Sequence, residues 1–132
     1  RINDGDQPVI WEGVNEYIRE FIYVDDAASA IVAIQEGMEL DPDHFKGQAF
    51  NLSTGDVWKV EDMVNHIAKV MNSDIRAHIE PVELEFQEII AQYLDGSKLR
   101  EYTGWTPKYT IENGGLENTV RWLQGVFKDG VK

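Results

Sequence analysis

Arg19 is the residue in this sequence that most needs a chemical partner. It stands inside the β-prone run 16–24 (EYIREFIYV), where a guanidinium is costly unless an anion meets it. Two partners fit: a diphosphate gripped bidentately, or a neighbouring carboxylate on an edge strand. Asp25 and Asp26 are an acidic pair that suits acid/base or metal chemistry, yet their place at the start of a helical stretch favours N-capping. His44, His66 and His78 are far apart and show no metal-ligand spacing. Ser53 belongs to a Ser53-Thr54-Gly55 turn and not to a GxSxG elbow. Trp58, Trp105 and Trp122 can stack on a base, but at helix edges and turns indoles more often anchor a core. Two dehydrogenase features are missing. There is no GxGxxG or GxxGxxG turn to cradle a dinucleotide, and none of Tyr17, Tyr23, Tyr93, Tyr102 and Tyr109 has a lysine four residues on. No catalytic, NAD-binding or metal-binding residue is therefore assigned in this chain.

The elements that must position these residues follow from periodicity and punctuation. The runs 8–11 (PVIW) and 16–24 read as two strands of a hairpin turning through Gly13 and Asn15. A helix follows from Ala27 and is expected to end at Gly37 in a left-handed cap. Its alanine-rich sequence, without a charge until Glu36, predicts that it is covered on more than one side. The polar stretch 39–47 reads as a loop and 48–52 (QAFNL) as a short strand. Val60, Met63, Val64, Ile67, Val70 and Met71 recur at helical spacing. Residues 74–80 alternate as a strand, while 82–94 fit helix or extended chain equally. A short helix over 97–102, capped by Asp95 or Ser97, and a last helix after Thr110 with Ile111, Leu116, Val120, Leu123 and Phe127 on one side complete the reading.

Composition bounds the function. The 132 residues, 42% of them apolar, suit one domain spanning 1–132, and the absence of cysteine leaves packing and hydrogen bonds to hold it. A net charge of −12 opposes nucleic-acid binding, and no apolar run approaches the length of a membrane span. A cytoplasmic protein with neither membrane nor nucleic-acid partners is expected. The chain opens on Arg1 and runs at once into strand-like sequence, which reads as a piece of something longer.

Four stretches in order resemble the extended short-chain dehydrogenase/reductase family, specifically its NAD-dependent sugar-nucleotide epimerases and 4,6-dehydratases. They are 19–30 (REFIYVDDAASA), 47–55 (GQAFNLSTG) with the helix after it, 94–107 (LDGSKLREYTGWTP), and 109–122. Asn15, Glu20 and Lys59 depart from the family's usual glycine, aspartate and Ser/Thr. A second arginine usual before 93–95 is replaced by 87–92 (QEIIAQ), most like CDP-glucose 4,6-dehydratase-type sequences.

The resemblance implies an α/β fold: the C-terminal substrate-binding lobe of a Rossmann-type enzyme, with about four helices, a hairpin and short strands, and with the Rossmann core absent. It implies that Arg19 contacts the diphosphate of a nucleotide-diphosphate sugar and that Asn51 lies near the same pocket, for binding or for structure. It further implies that NAD serves the full-length parent and is not bound by this chain, which is expected to be inactive alone. The run 49–52 would belong to the parent's parallel sheet, and without that sheet the strand edge and the apolar surface of the 27–34 helix are uncovered, so the isolated chain is expected to self-associate. A free-standing acidic binding module is the alternative, and a carboxylate-based hydrolase, suggested only by the 24 acidic residues, ranks last.

Overall fold

A computed structural model describes residues 2, 5–82 and 89–128, the side chains of 127 and 128 excepted. The side chain of Phe127 and residues 83–88, which include Gln87 and Glu88, lie outside this set. The fold is α/β, with five α-helices and two small sheets among the described residues. Strands β1 (Val9–Trp11) and β4 (His78–Glu80) pair in parallel, with Ile10 opposite Ile79. Strand β2 (Ile18–Glu20) is central between β3 (Val57–Lys59), antiparallel, and β5 (Ala91–Gln92), parallel.

The expected hairpin of 8–11 with 16–24 does not form. Gly13 does take positive φ, at 86°, but a 3-10 turn over Val14–Glu16 follows it. Asn15 Nδ2 then donates to Glu61 Oε2 and the Val60 N–H to the Tyr17 carbonyl, docking this segment on the start of a helix instead of folding it back along β1. The run 48–52 is extended but pairs in no strand among the described residues.

Helix α1 (Val24–Leu40) runs past Gly37. The glycine is needed there for proximity: a Cβ on it would sit 2.3 Å from Phe45 Cζ, on the short helix α2 (Pro42–Phe45). That helix, capped by Asp41 Oδ1 accepting from the His44 N–H, lies where a loop was expected. Contrary to the expectation of cover on several sides, α1 buries one face, with Asp26 and Ala30 buried, while Val24, Ile31, Val32 and Met38 are exposed. Ala30 joins Leu99 and Trp105 in a core flanked by Ala33, Ile34, Phe50 and Leu52.

Helix α3 (Val60–Val70) follows the expected periodicity and packs against α5 (Gly115–Lys128), with Met63, Ala68, Leu116 and Val120 buried. Helix α4 (Ser97–Thr103) ends on Gly104 at φ 70°, a left-handed cap.

Candidate functional site

The site grows outward from β2. As the middle strand of three, β2 carries Arg19 away from a sheet edge, so the edge-strand reading of this arginine does not hold. Arg19 Nη1 donates to the Ile18 carbonyl at 2.9 Å and lies 3.5 Å from the Ile90 carbonyl, with the guanidinium 5.5 Å from the centre of the Tyr17 ring. This half-buried side chain lines a cleft of about 290 Å³ together with Glu20, Phe21, Ile22, Leu52, Gln92, Tyr93 and Leu94.

Glu20, the next residue, holds the cleft walls in place. Its Oε1 accepts from Ser53 Oγ at 2.6 Å and from the N–H groups of Thr54 and Gly55 at 2.8 Å each. Its Oε2 accepts from the Leu94 N–H at 2.9 Å. Burial works to raise the Glu20 pKa, but the hydrogen bonds from Ser53, Gly55, Leu94 and Thr54 outweigh it and hold the carboxyl below the usual glutamate value. Ser53 Oγ is also 2.8 Å from the Leu94 carbonyl, so its single proton is shared between that carbonyl and Glu20, and the firm grip on Leu94 is through its N–H. Gly96 permits this approach, since a Cβ there would lie 3.0 Å from Ser53 Cβ.

Asn51 is placed beside this arrangement and not in it. Exposed, it donates from Nδ2 to the Asp95 carbonyl at 3.2 Å, tying the 51–55 turn to the start of α4. Asp95 Oδ1 accepts from the Ser97 N–H at 2.8 Å, a contact that lowers the Asp95 pKa, while Gly96 is the N-cap position of α4.

Several of the remaining candidates, Asp26, Trp58 and Trp105 among them, make contacts that hold the fold. Asp25 and Asp26 fall in the first turn of α1 and neither caps it, the N-cap being Tyr23. Asp26 instead accepts the N–H groups of Lys108 and Tyr109 at 2.9 Å each. Trp105 is a core anchor whose Nε1 donates to Ser29 Oγ at 2.9 Å, and Trp58 Nε1 donates to Asp56 Oδ1 at 2.8 Å. Trp122, expected in the core, is 66% exposed. His44 stacks on Tyr102 with ring centres 4.2 Å apart, His66 lies against Trp58 at 5.2 Å, and His78 sits exposed on β4. Among the described residues no group of three or more His, Cys, Asp and Glu can hold a metal ion, and no helix is long and apolar enough to cross a membrane.

Among the described residues no glycine-rich turn joins a strand to an α-helix. The passages from β2 to α1 and from β3 to α3 contain no glycine, and the one glycine between β5 and α4, Gly96, is packed on Ser53. Glu20 is the one residue of the site that reading the sequence passed over, noted there only as a departure from aspartate. A carboxylate inside a β-prone run was the signal, as it was for Arg19.

No family model matches the chain. It is 29% identical over 115 residues to an Arabidopsis thaliana trifunctional UDP-glucose 4,6-dehydratase, epimerase and reductase, covering 87% of this chain and 16% of that protein. It is 26% identical over 122 residues to the dTDP-glucose 4,6-dehydratase of Escherichia coli, covering 83% of this chain and 31% of that protein. The crystal structure of a Stenotrophomonas maltophila UDP-glucose 4-epimerase with bound NAD and formylated UDP-arabinopyranose superimposes with a TM-score of 0.78 at 18% identity. That match covers 94% of this chain and 37% of the epimerase, and at such identity it is the fold that the two share. The chain thus spans about a third or less of these relatives' length.

Proposed function

We propose that this chain, whose sequence relatives and structural neighbours are NAD-dependent sugar-nucleotide dehydratases and epimerases of the extended short-chain dehydrogenase/reductase family, is one domain over residues 1–132 that binds the diphosphate of a nucleotide sugar. Arg19 carries the reading. A guanidinium on a central strand, lining a cleft whose walls are stitched by hydrogen bonds, is the side chain whose planar, multi-donor shape matches a phosphate. Glu20 is the one carboxylate lining that cleft among the described residues, and its oxygens are committed to Ser53, Thr54, Gly55 and Leu94, which removes support from carboxylate-based hydrolysis.

The whole enzyme would be a cytoplasmic dehydratase or epimerase in which NAD accepts and returns a hydride at C4 of the hexose. This chain's share is to hold and orient the substrate's diphosphate, and no hydride-transfer step is assigned to it. Asn51 contributes by fixing the 51–55 turn against Asp95. The apolar surface of Val24, Ile31, Val32 and Met38 favours self-association of the chain on its own.

In the full-length enzyme, Arg19→Ala is expected to weaken binding of a nucleotide-diphosphate sugar by about 1.5–3 kcal/mol, with a much smaller effect on the nucleoside. Equal loss for both ligands makes Arg19 a folding residue and overturns the reading. Calorimetry of the 132-residue chain is expected to show no saturable NAD binding at millimolar concentration.

A further inference from the structure

We propose that Glu20 is the positioning residue of the Arg19 cleft: its carboxylate sets the spacing between the 53–55 turn and the 93–94 segment, and so the shape in which Arg19 meets a diphosphate. The inference rests on the nucleotide-sugar reading above and gives that site a residue acting through its neighbours.

The division of labour between the two carboxylate oxygens is the main argument. Oε1 is occupied by the 53–55 turn, through Ser53 Oγ, Thr54 N–H and Gly55 N–H. Oε2 is occupied by Leu94 N–H, 74 residues away in sequence. One oxygen therefore holds Leu94, which lines the cleft, the other holds the turn that directly follows the lining residue Leu52, and the carboxylate between them is the spacer. Ser53 is only 3% exposed, so its hydroxyl cannot turn to water without the turn opening. The Ser53 contact to the Leu94 carbonyl and the close seat of Gly96 reinforce the same closure.

Substitution chemistry makes the idea testable. Gln has the size of Glu but replaces one acceptor oxygen with an NH₂ donor, which leaves either the 53–55 donors or the Leu94 N–H facing another donor. The variant releases one side of the cleft while leaving Arg19 in the chain.

The test follows backbone amides of the ¹⁵N-labelled chain by NMR during titration with UDP, with uridine as the control. Wild type is expected to show UDP-dependent shifts at 19–20 and 92–94. Glu20→Gln is expected to bind UDP about tenfold or more weakly with unchanged helical circular dichroism, and uridine is expected to lose less. A folded Glu20→Gln chain that binds UDP as tightly as wild type overturns the proposal.

Absence of UDP binding by the wild-type chain counts against the nucleotide reading and leaves Glu20 to a second measurement. On acid titration the amides of Thr54, Gly55 and Leu94 are expected to shift together with one midpoint below 4.5, and to stop doing so in Glu20→Gln. The charged and titratable groups next along these segments are Arg19, Asp56, Tyr93 and Asp95, with Arg100 beside Gly96. Asp95 titrates in the same region, so the comparison is made in an Asp95→Asn background. Independent midpoints for the three amides overturn the role of Glu20 even if the variant fails to fold.

Discussion

Asp26 and Tyr109 lie 83 residues apart in sequence, yet Asp26 Oδ2 accepts the Tyr109 backbone N–H at 2.9 Å. Asp26 is 1% exposed, and its other oxygen takes the Lys108 N–H at the same distance, so one side chain from the first turn of α1 fastens the segment leading to α5. Asp26→Ala leaves two donors without their acceptor and is expected to cost about 3 kcal/mol, whereas Asp26→Asn, keeping one acceptor, is expected to cost about half of that. Urea denaturation of the three chains measures both. Equal stability of wild type and the alanine variant would show the clasp to be dispensable.

Acid should loosen the cleft before it unfolds the chain. The Glu20 and Asp95 carboxyls titrate below their usual values when folded, so at these positions the unfolded chain binds protons more readily. Their stabilising contribution is complete above the unfolded values and is lost as pH falls through the lowered folded ones. Lys59, raised chiefly by its hydrogen bond from Nζ to Glu16, behaves oppositely, losing its contribution as pH rises through the raised value. That pair is exposed, so the alkaline effect is expected to be small. Denaturation midpoints measured against pH should fall on the acid side, and the fall should be shallower in Glu20→Gln.

Gly37→Ala opposes helix propensity to packing. Alanine favours a helix interior by about 1 kcal/mol over glycine, but here its Cβ would enter the Phe45 ring, 2.3 Å from Cζ. Overpacking of this kind costs about 1–3 kcal/mol, so net destabilisation is expected. Adding Phe45→Leu should recover part of the loss. A melting temperature raised by Gly37→Ala alone would refute the close approach of α1 and α2.

The exposed face of α1 offers the simplest handle on self-association. Ile31, 62% exposed beside Val32, stands outside the buried cluster of Ala30, Leu99 and Trp105, so Ile31→Lys should leave the fold intact. Sedimentation velocity is expected to show concentration-dependent association of the wild-type chain and a monomer for the variant. A monomer at every concentration in both chains would remove the proposal.

Much of this fold was legible in local pattern. Helices α3 and α4 and the family resemblance all depend on residues within a few turns of one another, where spacing decides the outcome, although the left-handed stop expected at Gly37 is found at Gly104 instead. Arg19 was legible for a related reason: a guanidinium in a β-prone run is conspicuous by residue type alone. Strand partners were not legible. Pairing is a contest between distant segments, and β1 chose β4 because Asn15 and Val60 drew the intervening chain onto α3. Nor could the sequence separate Asp26, a buried clasp, from Asp25, its exposed neighbour, since both suit a helix start. The role of Glu20 belongs wholly to tertiary structure: its donors sit 33 to 35 and 74 residues away, and only folding brings them to one carboxylate. Residue types thus determined which groups needed partners, while chain closure over long sequence separations decided which partners they found.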